Sequence, residues 1–174
     1  MQTSLVSLVV AIVFAIAPAA ERYVSATIDP SGQLRIVTSS RRTISPEKTG
    51  DQVGFSAPRI SPDGHTVGWL AEFPNCCTSY PIPLKLVLYR AGRTQEFTGS
   101  GLPVWHWAFL AGGTHIAFEQ ETVHGGIGIH YELRDTASGR LIDEYNPTSD
   151  PDMDPGVVPK EAPKWVHDLD DTPR

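Results

Sequence analysis

Pro58-Arg59-Ile60-Ser61-Pro62-Asp63-Gly64-His65-Thr66-Val67-Gly68-Trp69 aligns with Trp107-Ala108-Phe109-Leu110-Ala111-Gly112-Gly113-Thr114-His115-Ile116-Ala117-Phe118 at an offset of 49 residues. In both stretches two short apolar runs flank a tight, Gly-containing turn, the pattern of an antiparallel hairpin. The correspondence continues downstream: Leu88-Tyr89-Arg90 before Gly92 matches Leu133-Arg134-Asp135 before Gly139, with a small change of spacing. An earlier pair of runs, residues 24–28 and 34–38 around Asp29-Pro30-Ser31-Gly32, matches the second half of the same unit. A period in this range with four strands per repeat is that of a β-propeller blade.

The rest of the body follows the same alternation and contains no convincing helix. Leu84, Leu86 and Leu88 share one strand face, and Trp105, Trp107 and Phe109 share another. Ile127, Ile129, Tyr131 and Leu133 alternate with Gly128, His130, Glu132 and Arg134. The expected fold is therefore all-β, built of antiparallel, four-stranded, propeller-blade-like repeats. Two full units and one leading hairpin make ten strands, whereas closed propellers have at least about four blades. An open, incomplete arrangement is expected, its sheet edges guarded by Arg41, Arg42 and Pro46; assembly of several chains is the other way to satisfy those edges.

On Pro58, Ile60, Ser61-Pro62-Asp63-Gly64 and Val67-Gly68-Trp69, echoed by Phe109, Gly112-Gly113 and Ile116-Ala117-Phe118, the chain resembles the TolB-type β-propeller repeat. With the matching hairpins the resemblance covers about two thirds of the body, although the second copy lacks the Ser, Pro and Asp. The resemblance implies an exported, mostly non-enzymatic interaction platform of the bacterial periplasm, and it carries over no catalytic residue.

The termini read differently from the body. Leu5 to Ile16 is apolar except for Ser7 and is followed by Ala17-Pro18-Ala19-Ala20. That run is too short to span a bilayer, which takes about 20 residues, and suits a signal peptide of residues 1–19 cleaved after Ala19; an uncleaved anchor is the competing reading. The expected location is periplasmic or secreted. Residues 20–146 form the β-repeat domain. Residues 147–174 hold seven of the 20 acidic and three of the 14 basic side chains, hence four of the six net negative charges. Pro151, Pro155, Pro159 and Pro163 recur there every four residues, which reads as an extended, disordered chain that only Trp165, Val166 and Leu169 would anchor. Asp150, Asp152 and Asp154 lack the Gly and terminal Glu of a calcium loop. A net charge of -6 argues against nucleic acid and against a membrane surface, once the signal is cleaved, as partners.

No residue pattern identifies a reaction, a metal or a cofactor. His124-Gly125-Gly126 looks like part of an oxyanion loop, but the Gly-x-Ser-x-Gly elbow is missing. Glu119, Glu121, His124 and His130 are candidate metal ligands, and the Glu pair a candidate acid and base; a solvated strand face explains them as well. Adjacent Cys76 and Cys77 form either a strained vicinal disulfide, two thiols, or a pairing with another chain or a metal.

Strand parity places the tight turns at 29–32, 61–64, 91–93, 111–114 and 136–139 on one end of the sheets. The longer segments 39–54, 73–83, 99–103 and 122–126 then share the other end, with Asn75, Cys76, Cys77, Tyr80, Trp105, His106 and His124 as candidate binding residues. Loops on a rigid scaffold concentrate recognition, and aromatic side chains dominate hot spots. The expected function is a non-catalytic binding or scaffolding module for a protein or small ligand of the cell envelope or exterior; a loop-based enzyme, such as a metal-dependent hydrolase, is the alternative.

Overall fold

The computed structural model describes residues 21–76, 78–124, 128–147 and 157–173. The expected signal peptide and its cleavage site, Cys77, Gly125, Gly126 and Ile127, and Asp150, Pro151, Asp152, Asp154 and Pro155 lie outside the described residues.

Three antiparallel sheets follow one another along the chain. The first contains β1 (Tyr23–Ile28), β2 (Leu34–Thr38) and the two-residue β3 (Thr43–Ile44). The second contains β4 (Gly54–Ile60), β5 (Val67–Phe73), β6 (Ile82–Arg90) and β7 (Arg93–Phe97), and the third β8 (Val104–Leu110), β9 (His115–Gln120), β10 (His130–Asp135) and β11 (Leu141–Tyr145). Within each sheet every strand pairs with its sequence neighbours. The 49-residue offset lays β4 and β5 on β8 and β9, so the sequence repeat is a structural one. The fold is all-β and open, with no sheet closed on itself.

Alternation along each strand decides which layers meet. Val67, Trp69 and Ala71 of β5, with Phe55 and Val87, pack against Tyr23, Leu34 and Ile36 of the first sheet. Leu70 on the opposite face of β5, with Leu86, Leu88 and Phe97, packs against Val104, Trp107, Ile116 and Phe118 of the third. The second sheet is thus covered on both faces, which is why β5 reads as an almost continuous buried run. Gly68 allows this approach: a Cβ there would lie 2.4 Å from the Trp107 ring.

The outer face of the third sheet is covered by a helix. Ala108, Ala117, Tyr131 and Leu133 pack against Ala162, Val166 and Leu169, the last two belonging to α1 (Lys164–Asp170). The disordered tail expected after residue 147 is therefore corrected for residues 157–173. The last proline of the series, Pro163, precedes the helix, where its missing N–H removes no helical hydrogen bond. Beyond it, Val166 and Leu169 fall three residues apart on one face. By the repeat register Ala117 stands where Gly68 stands in the preceding sheet, so α1 occupies the layer a next blade would fill. The exposed face of the first sheet carries Ser25, Thr27, Arg35 and Val37, the polar outer surface of a terminal layer.

One end of the sheets gathers the turns at 39–42, 61–66, 91–92, 111–114 and 136–140. The Tyr23 N–H donates to the Gly64 carbonyl, the Ser39 N–H to the Arg22 carbonyl and the Thr136 N–H to the Thr114 carbonyl, and Gln95 Nε2 donates to the Ser138 carbonyl. The other end gathers 45–53, 74–81, 98–103 and 121–129. The 29–32 turn is also there, because Gln33 Nε2 donates to the Pro46 carbonyl at 2.7 Å. This corrects its expected place with the other tight turns. The chain reverses once more than the expected ten strands allow, at Arg41 (φ 66), to form β3.

Candidate binding face

The loop-bearing end is held by backbone and side-chain hydrogen bonds that leave several large side chains outside. Buried Gln120 closes β9 against the 98–103 loop, its Nε2 donating to the carbonyls of Thr98 (2.9 Å) and Leu102 (2.6 Å) while Oε1 accepts from the Ser100 N–H. In the 45–53 loop Gln52 Nε2 donates to the Gly54 carbonyl and Lys48 Nζ to the Val53 carbonyl, and Val53 is left 42% exposed. In the 74–81 loop Asn75 Nδ2 donates to Thr78 Oγ1, which donates to the Tyr80 carbonyl. Tyr80 is 51% exposed. A shallow groove of about 620 Å³ runs between the 45–53 loop and the start of the 74–81 loop, lined by Asp51, Gln52, Val53, Phe73, Pro74 and Leu84. A smaller cleft of about 240 Å³ opens beside β3, over Trp69, Val87 and Tyr89, where the first sheet has no fourth strand.

The expected binding residues separate into three groups. Asn75, Cys76 and Tyr80 share the 74–81 loop, and exposed His124 lies on the equivalent loop of the next sheet, about 10 Å away by the ordinary sheet spacing. Trp105 adjoins this end but is half-buried. The register shifts between Val104 and His106, which makes Trp105 the extra residue of a bulge and removes it from the alternation with Trp107 and Phe109. Its indole N–H donates to the Glu121 carbonyl at 3.1 Å. His106 is not on the loop surface: it is buried under α1, with Nε2 2.9 Å from Thr172 Oγ1.

Glu119 and His130 do not converge. Glu119 pairs with Tyr131 and lies on the helix-facing side, whereas His130 pairs with Gln120 on the side facing the second sheet. Among the described residues no three His, Cys, Asp or Glu side chains gather as metal ligands. The polar side of β10 instead forms a buried row. His130 Nδ1 is 2.7 Å from Asn146 Oδ1 and Nε2 is 3.1 Å from Glu132 Oε1. Glu132 Oε2 accepts from Arg134 Nε, and Arg134 lies over the Phe97 ring. Both imidazole nitrogens are engaged, and the row ties β10 to Asn146 at one end and to the Phe97 ring at the other. His130, Glu132 and Arg134 at alternate positions were visible in the sequence, but their burial follows from the neighbouring sheet. Nothing in the sequence marked Gln120 or Val53.

No protein-family model and no curated protein matches the sequence. Among solved structures the chain is similar to Kuenenia stuttgartiensis hydrazine synthase, with 22% identity and a TM-score of 0.43, over 73% of this chain and 34% of that one. The chain thus spans about a third of the length of that neighbour.

Proposed function

We infer that the protein is an exported, non-catalytic binding or scaffolding module of TolB-like repeats, periplasmic or secreted, that engages a protein or small ligand through its loop-bearing end. The observation that carries this reading is the contrast between the two ends of one rigid stack. One end consists of tight turns. The other presents exposed Tyr80 and His124 on neighbouring loops and a shallow groove beside Val53, an arrangement suited to a contact surface with aromatic anchors. The export reading is supported by the apolar run and small residues of the first twenty positions.

Capture of partners from envelope extract tests the binding surface. Tyr80→Ala with His124→Ala should lower recovery of a specific partner about tenfold, the effect of losing a hot-spot contact. Pro62→Ala with Ala137→Ser, at the opposite end, should leave it unchanged. The reverse pattern would place the interface on the turn-bearing end. N-terminal sequencing of exported material should begin at Ala20 or Glu21, and a chain still starting at Met1 would remove the cleavage.

A further inference from the structure

The net charge of -6 conceals a segregation of charge along the strands. Arg22, Arg41, Arg42, Arg90, Arg93 and Arg140 are all exposed at the turn-bearing end. Only Arg42 among these forms an ion pair with a described residue, Glu21. The acids of these turns are fewer: Asp63 accepts from Ser61 Oγ and the His65 N–H and also feels Arg90, and Asp135 accepts from the Ser138 N–H and hydroxyl and also feels Arg140, so with Glu21 three carboxylates stand against six arginines. At the loop-bearing end Asp29, Glu47, Asp51, Glu72 and Glu121 outnumber Arg35 and Lys48.

The two ends act independently in salt. A seven-residue strand such as β5 spans about 23 Å at 3.3 Å per residue, while the Debye length at physiological ionic strength is about 8 Å. An anionic surface against the turns is screened from the acids of the far end, so net charge does not decide what this face attracts.

The shape of the face narrows its partner. The arginines are spread over three sheets stacked about 10 Å apart, on turns that hold no Phe, Trp or Tyr in 39–42, 61–66, 90–93, 111–114 or 136–140. A platform for stacking nucleobases is thus missing from these turns. Between 90–95 and 136–137 lies an open wedge of about 600 Å³ lined by Arg90, Arg93, Gln95 and Thr136, wide enough for a phosphate-bearing headgroup. The chain enters the fold on the same face, where Arg22 lies against the Gly64 turn. We propose that this arginine face docks on the anionic phospholipid headgroups of a bilayer, leaving the loop-bearing end turned away from the membrane. Guanidinium forks suit phosphate oxygens. The inference is independent of which partner the loop end binds.

Flotation of the full chain with phosphatidylcholine vesicles, and with vesicles also containing phosphatidylglycerol, tests this. Any insertion of the N-terminal apolar run is common to both, so the difference between them reads the arginines. Binding should be stronger on the anionic vesicles and should lose that advantage as salt rises from about 0.05 to about 0.5 M. Arg90→Ala, Arg93→Ala and Arg140→Ala together should weaken anionic-vesicle binding roughly 100-fold, at about fivefold per arginine, with unchanged circular dichroism. The charge-matched variant Arg35→Ala, Lys48→Ala, Lys160→Ala should keep it within about twofold. Equal binding to neutral and anionic vesicles, no salt dependence, or equal losses in the two variants would overturn the proposal. So would displacement by duplex DNA at matched phosphate concentration, which would show a general polyanion surface.

Discussion

Replacing Leu169 by Ala separates a docked helix from a solvated tail. Leu169 is fully buried, packed with Val166 and Ala162 on Ala108, Ala117, Tyr131 and Leu133. Truncating a buried Leu removes its transfer free energy and leaves a cavity that the rigid sheet below fills only in part, costing about 3 kcal/mol within a usual range of about 2–5. With a urea m-value of about 2 kcal/mol/M, the unfolding midpoint should fall by about 1.5 M. The melting temperature should fall by roughly 6–12 °C for a chain of this size. Val166→Ala removes two methyl groups and should cost about 1.5 kcal/mol; because the two side chains share one patch, the double variant should lose less than the sum. Equilibrium urea unfolding followed by Trp fluorescence reads all three. If Leu169→Ala and Val166→Ala both stay within about 0.5 kcal/mol of the parent, α1 does not stabilise the third sheet and the tail is the solvated chain that its prolines suggested.

Four further outcomes are expected. Gly68→Ala should cost about 3 kcal/mol or more in the same unfolding assay, since its Cβ would fall 2.4 Å from the Trp107 ring, whereas Gly92→Ala, with open space around it, should cost only its positive-φ strain of about 1 kcal/mol. Gln120→Leu should cost about 2–4 kcal/mol, because the Thr98 and Leu102 carbonyls lose their donor, and should speed amide hydrogen exchange across 98–103. The Glu21 carboxyl is held down at about 2 by the hydroxyls of Ser40 and Thr38 and by Arg42. Its folded value lies below the unfolded one near 4.5, so its contribution is complete above pH about 4.5 and disappears as pH falls toward 2; Glu21→Gln should flatten the stability profile in that window. Cys76→Ser with Cys77→Ser should shift stability by about 1 kcal/mol or less, since a ring closed between neighbours restrains almost nothing in the unfolded chain.

The hairpins were legible because their determinants are local. Asp29 and Asp135 each stand at the start of a turn and Asp63 within one, and all three accept backbone N–H groups two to four residues on, so composition and spacing report them directly. The alternation at Tyr131 and Leu133 held for the same reason, since period two is a property of the strand itself. What stayed hidden was decided by tertiary packing. Pro163 reads as a breaker, yet a proline disrupts only the helix before it, and seven residues carry too little periodicity to announce a helix that exists because a sheet face needs cover. The Trp105 bulge depends on how β8 meets β9, and β3 is two residues long, below any pattern that hydrophobicity can show. Of the candidate site, Cys76, Tyr80 and His124 are exposed as their loop positions suggested, and Asn75 is half-buried. His106 does not, because one bulge and one helix place it inside.

The helix also imposes an order in time. Every strand pairing joins strands that follow one another, so each hairpin closes a short loop and the sheets can form as the chain is made. Thr172 reaches back 66 residues to His106, and Leu169 covers residues that begin at Ala108. Until α1 has been synthesised, the outer face of the third sheet is finished but bare, an apolar plane open to other chains nearby. The newly made protein is therefore most prone to stick in that interval, and truncation ahead of Lys164 would lengthen it indefinitely.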